Sequence, residues 1–164
     1  MALGLALLFT SLGTYAQSGK PRVSPPDSAM GRIGNANVKI KYGSPSVKGR
    51  AIWGELVPYS KVWRAGANEA TQISFDQPVT VEGKQLAAGT YALFFIPEKG
   101  AWTVIFNKTA KQWGAYDYKQ ADDALRVTAT PKALSESVER LQYLVQPSGI
   151  VLRWEKLELP VAIK

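Results

Sequence analysis

The chain contains no cysteine and no histidine. The first absence removes disulfides, thiol nucleophiles, thiolate metal sites and a lipid-modified N-terminal cysteine. It leaves the compartment open, because disulfides are permitted outside the cytoplasm but not required there. The second absence removes the commonest general base and the commonest transition-metal ligand. A Ser-His-Asp triad and a zinc site of ordinary type are both excluded. An oxygen-only calcium site needs an Asp-rich loop, and Asp122-Asp123 alone reads as a solvated turn. No metal and no cofactor are therefore expected. Basic runs are also missing. The 20 Lys and Arg exceed the 13 Asp and Glu, for a net charge of +7, but they are scattered along the chain. Such a surplus serves solubility or attraction to an anionic glycan, headgroup or polymer. Nucleic-acid binding needs a basic stripe and is not expected.

The first sixteen residues differ from the rest of the chain. Residues 1–16, MALGLALLFTSLGTYA, carry an apolar stretch from Leu3 to Leu8 and small residues at Thr14 and Ala16. A spanning helix needs about 20 apolar residues, so this segment reads as a signal peptide with Gln17 as the first mature residue. No Lys or Arg precedes the apolar run, which departs from the usual signal pattern. The expectation is a secreted or periplasmic/cell-surface protein, not transmembrane after signal removal. Residues 17–35 hold Pro21, Pro25, Pro26, Gly31 and Gly34 with few apolar residues, and read as an extended N-terminal lead-in with weak structure.

From residue 36 the pattern is that of strands. Val38, Ile40 and Tyr42 alternate with Asn37, Lys39 and Lys41, one face buried and one wet. Glu82-Gly83-Lys84 reads as a hairpin turn. Gly89 to Pro97, GTYALFFIP, is apolar on both faces, as in a strand at the middle of a sheet or sandwich. Trp102 to Asn107, Leu125 to Ala129, Leu141 to Val145, Ile150 to Trp154 and Leu157 to Ile163 complete the series. Short strands with turn signals at this spacing mark an all-β fold. The expected architecture is a single antiparallel β-sandwich over 36–164, jelly-roll-like, with two long ordered loops.

Those loops carry the candidate site. Gly43 to Ala70 is too long and too aromatic for an ordinary connection or a disordered one. In it, Val62 to Thr71 (VWRAGANEAT) supplies Trp63, Arg64, Asn68 and Glu69. Asn68 suits an Asx-type turn, and the planar Arg64 fork is a natural partner for the Glu69 carboxylate. Upstream, Ile52, Trp53, Leu56 and Val57 fall at one-turn helical spacing before Pro58, as a plug for the sandwich end. Arg50 is unexplained by that plug. Gln112 to Tyr118 (QWGAYDY) adds Trp113 and Tyr116, flat apolar faces suited to sugar rings and partner surfaces. Glycoside hydrolysis needs two carboxylates at a defined separation. Nothing in the sequence fixes any two of Glu55, Glu69, Asp76 and Asp117 together.

The ordered set YGSPSVKGRAIWGELVPYSKVWRAGANEATQISF, GTYALFFIP, WTVIFNK, QWGAYDY and DDALRV resembles a secreted bacterial domain-of-unknown-function family, DUF 2911. The similarity runs from about Val38 to Ile163. The family's motif positions fall on Gly49, Arg50, Trp63, Arg64, Gly66, Ala67, Asn68, Glu69, Thr71, Trp113, Gly114 and Tyr116. The resemblance implies an exported, β-rich single domain and no particular activity.

The leading functional expectation is a non-enzymatic binding module for a glycan, peptide or other envelope component. Its ligand-binding residues would be Arg50, Trp63, Arg64, Asn68, Glu69, Trp113 and Tyr116. The alternatives are a carboxylate-dependent hydrolase or lyase using Glu69 with Arg64 or Arg50, and a structural or accessory envelope protein. Binding in one pocket requires that 63–69 and 113–116 meet at the same end of the molecule.

Overall fold

The computed structural model describes residues 20–164; the expected signal peptide at 1–16 lies outside them. The chain is all-β and antiparallel, as its alternation requires, with a short 3-10 turn at Gln120–Asp122. One layer is a six-stranded sheet in the order β1 (Pro26–Ile33), β2 (Ala36–Gly43), β3 (Thr71–Phe75), β6 (Gly89–Ile96), β7 (Trp102–Asn107), β8 (Asp123–Ala129). Between β3 and β6 the chain makes the hairpin β4 (Val79–Val81) and β5 (Lys84–Leu86). The opposing layer is a ribbon of β9 (Lys132–Gln146) and β10 (Gly149–Ala162). Val81 of β4 bridges Ile163, which attaches the small hairpin to the end of that ribbon. Register shifts around Glu155 mark a bulge in β10, the ordinary device for bending a long ribbon.

Inward-facing residues of the sheet (Val38, Ile40, Ile73, Phe75, Leu93, Phe95, Val104, Phe106) share one core with Leu141, Tyr143, Ile150, Leu152, Trp154 and Leu159 of the ribbon. The β2 alternation is reproduced residue by residue, buried at Val38, Ile40 and Tyr42 and exposed at Lys39 and Lys41. β6 is buried on both faces because the sheet has a second cover. Phe94, Ala92 and Ile105 point outward and meet Val62, Ala115 and Tyr118 from the two long loops. Among the described residues that cover reaches only β6 and β7. The outer face of β2 and β3 carries the exposed Lys39 and Lys41 and the half-buried Gln72 and Ser74, with no layer over it among the described residues.

Two expectations are corrected. The segment read as a weakly structured lead-in contains β1, paired with β2 along its whole length from Pro26↔Gly43 to Ile33↔Ala36. As an edge strand it needs few apolar residues, and Pro26 stands at its first position, where an edge tolerates proline. The plug at 52–57 is not a helical turn either. Val57 N donates to Ile52 O (2.9 Å) and Gly54 N to Val57 O (2.9 Å), a closed non-helical loop. Ile52 and Val57 are buried, whereas Leu56 is exposed rather than plugging. No helix among the described residues is long and apolar enough to cross a membrane.

Candidate functional site

The corner from Trp63 to Ala70 leads into the first residue of β3. Trp63 pairs with Phe95 through reciprocal backbone hydrogen bonds (2.7 and 2.9 Å), beside the last residues of β6. The next residues turn sharply, with Ala65 and Asn68 at φ of 55° and 63°. The buried Ala65 carbonyl accepts from Tyr143 Oη (2.6 Å) and Thr71 Oγ1 (2.9 Å), which holds this left-handed residue in place. Thr71 N donates to Arg64 O (3.1 Å) and Ala67 N to Gly43 O (3.2 Å).

The second loop docks on this corner. Gly114 N donates to Asn68 O (3.1 Å), Ala70 N to Gln112 O (3.0 Å), and Glu69 forms a β-bridge with Trp113. The segments 63–69 and 113–116 therefore meet. Trp113 and Tyr116 keep 54% and 81% of their surface exposed, so this meeting place carries accessible aromatic rings.

Not every expected residue points there. Trp63 turns inward, its ring stacked with Trp154 (6.1 Å between centroids) and edge-on to Trp53 (5.8 Å), so it is half-buried against the core. Its backbone pairing with Phe95 sends both rings into the same layer. Arg50 closes its own turn, donating from Nε to Val47 O (3.0 Å) and from Nη2 to Ser46 O. Arg64 does not reach Glu69. Its Nη1 lies behind the second loop, where a Cβ on Gly114 would stand 3.1 Å from it and 2.9 Å from the Tyr116 ring. Asn68 serves as a strut, its Nδ2 donating to Ser24 O (3.0 Å).

The partner of Glu69 is Arg22. Its Nη1 donates to both carboxylate oxygens, at 2.9 and 2.8 Å. Nothing in the sequence marked Arg22, because it stands among prolines in the segment read as a lead-in. Two depressions share this neighbourhood. One, of about 540 Å³, is bordered by Arg22, Asp27, Lys39, Lys41, Glu69 and Gln72. The other, of about 360 Å³, is bordered by Glu69, Gln72, Lys111, Gln112 and Trp113. Glu69 and Gln72 border both, so the two depressions adjoin, one on the outer face of β2 and β3 and one at Trp113, and together they make up the groove.

The electrostatics of the groove do not suit proton transfer. Glu69 is held below the usual glutamate range, chiefly by its own backbone N–H and then by Arg22. Asp27 accepts from Tyr42 Oη (3.0 Å) and from the Ser28 N–H (2.7 Å). Burial, reinforced by that aspartate, pushes the Tyr42 hydroxyl up to about 12. A general acid or base works best with a pKa near the operating pH, and both shifts run away from neutrality. No group of three or more acids gathers to hold a metal among the described residues.

The family model for a protein of unknown function, DUF2911, matches residues 24–163. The chain belongs to the DUF2911 family. No curated protein and no solved structure matches it. The DUF2911 match starts at residue 24, ahead of β1, in keeping with β1 being part of the domain.

The Glu69–Arg22 pair makes a pH prediction. A depressed carboxylate stabilises the fold above its unfolded pKa, and the effect fades as pH falls through the folded value. Both partners are about half exposed, so the pair itself contributes little, about 0–1 kcal/mol. A carboxyl NMR titration reads the effect directly. Arg22→Ala should raise the Glu69 pKa only part of the way to its ordinary value, since the backbone N–H remains. An unmoved titration curve would show that Arg22 does not engage Glu69 in solution.

Proposed function

We propose that this DUF2911 chain is an exported, non-enzymatic binding module whose ligand is a glycan of the cell envelope. The observation that carries the reading is the exposed Trp113 ring at the end of a groove edged by Gln72, Gln112 and Glu69. A flat apolar face beside amide and carboxylate groups is the inventory that stacks on a sugar ring and bonds its hydroxyls. Export is supported by the apolar run Leu3 to Leu8 followed by the small residues Thr14 and Ala16. The hydrolase or lyase alternative draws less support, because Glu69 is held as an anion by its own backbone N–H and by Arg22, and neither Arg64 nor Arg50 reaches it.

A glycan and envelope-fraction binding screen on the mature protein, repeated with Trp113→Ala, tests the reading. The variant should lose about tenfold or more in affinity, equivalent to about 1.4 kcal/mol. Its melting curve should stay within the range of ordinary surface substitutions, about 0.5 kcal/mol, because the ring is largely outside the core. Retained binding in Trp113→Ala would remove the basis of the proposal.

A further inference from the structure

The groove has a sign. Its acids are outnumbered by its cations: Arg22 pairs with Glu69, and Asp27, held by the neutral Tyr42 hydroxyl and Ser28 N–H, sets one negative charge against Lys39, Lys41 and Lys111. Lys39 and Lys41 make no ion pair among the described residues. They stand on the open face of β2, Lys39 between Met30 and Ser74 and Lys41 between Ser28 and Gln72. Every cross-strand neighbour is uncharged, so the lysine charges have no compensation along the rows of the sheet. Two positions along a strand are about 7 Å apart, of the order of one sugar unit. Gln72, beside Lys41, also borders the depression that ends at Trp113, and Lys111 adds a further cation there.

We infer that the groove selects an acidic polysaccharide, with Lys39 and Lys41 pairing with carboxylates on successive sugars while Trp113 stacks on a neighbouring ring. The inference rests on the glycan reading above and narrows it to uronic-acid chemistry. Steering by the net charge of +7 adds to encounter but not to choice. The selective element is a pair of cations at fixed separation on a rigid sheet, opposite charges that a neutral sugar chain lacks.

Calorimetric titration of the mature protein with oligogalacturonate and with its methyl-esterified, uncharged form, both at 0.15 M salt, tests this. The acid form should bind at least tenfold more tightly than the ester. The double variant Lys39→Ala/Lys41→Ala should abolish that preference. Lys84→Ala/Lys132→Ala removes the same charge from exposed positions outside the groove and should keep it. Trp113→Ala should weaken both forms alike. Equal losses in the two double variants would reduce the effect to net charge and overturn the inference. So would equal affinity for acid and ester; if Trp113→Ala still weakened both, the glycan reading would stand without the acidic preference. Tight acid binding that ignores Trp113→Ala overturns the inferred stacking on Trp113 and removes the observation on which the glycan reading rests, and absence of binding by either form overturns the uronic-acid assignment.

Discussion

Replacing Trp154 by alanine should destabilise the protein by about 3–5 kcal/mol, the usual cost of emptying a buried aromatic site. Trp154 is 1% exposed. Its ring lies 5.8 Å from Trp53 and 6.1 Å from Trp63, at interplanar angles of 83° and 16°. It thus joins three separate pieces of chain, the β10 strand and two points of the long loop between β2 and β3. The loop is also tied to β6 and its end by backbone bonds from Ser60 N to Pro97 O and between Trp63 and Phe95, and the indole cluster adds the packing contact to the ribbon. Aromatic pairs contribute about 0.5–1.5 kcal/mol beyond the area they bury, and alanine removes two of them together with the burial. Against a typical domain stability of about 5–15 kcal/mol, the loss takes a large share of the total. Urea unfolding should show a lower midpoint, with Trp154→Phe intermediate because it keeps part of the volume. A change below about 1 kcal/mol would mean that the indoles are not packed as described.

The same cluster shows where sequence reading succeeds and where it stops. Alternation decides the orientation of Val38, Ile40 and Tyr42, because a strand has a period of two and one face must be buried. The doubly apolar run at Gly89 to Pro97 foretells the cover over Phe94, though not that Ala115 and Tyr118 provide it. In a loop there is no period, so nothing local tells whether Trp63 or Trp113 is the ring that faces solvent. One is set by pairing with Phe95 and the other by bridging Glu69, both contacts distant in sequence. The Arg64–Glu69 pairing failed for the same reason. The bridge to Trp113 fixes the backbone at Glu69, and the guanidinium that meets its side chain comes from Arg22, 47 residues upstream. β1 carries no alternation signal because an edge strand paired on one side can be exposed almost throughout. Lys39 and Lys41 were read correctly as a wet face, but only the arrangement of β1 and β3 beside them makes that face a groove.

Gly43→Ala should detach the corner on which the groove depends. Gly43 ends β2 where Ala67 passes over it, and a Cβ there would sit 2.9 Å from the Ala67 carbonyl carbon and still closer to its oxygen. These are backbone atoms, which cannot swing aside as a flexible side chain can. The approach is mutual, since a Cβ on Gly66 would lie 3.0 Å from Gly43 O. Pushing Ala67 away breaks its hydrogen bond to Gly43 O and strains the neighbouring Ala65 carbonyl, which serves both Tyr143 and Thr71. Overpacking typically costs about 1–3 kcal/mol, and the loss of these hydrogen bonds at about 1 kcal/mol each adds to it. We expect a destabilisation of about 3 kcal/mol or more, faster amide exchange at Ala67 and Thr71, and loss of the glycan binding proposed above, because the bridge from Glu69 to Trp113 springs from this corner. Gly100→Ala supplies the contrast. No atom lies within 4 Å of a Cβ at Gly100, so that variant should stay within about 0.5 kcal/mol of the parent. If the two variants unfold at the same urea concentration, close backbone approach is not what holds the corner, and the groove must be positioned by the second loop alone.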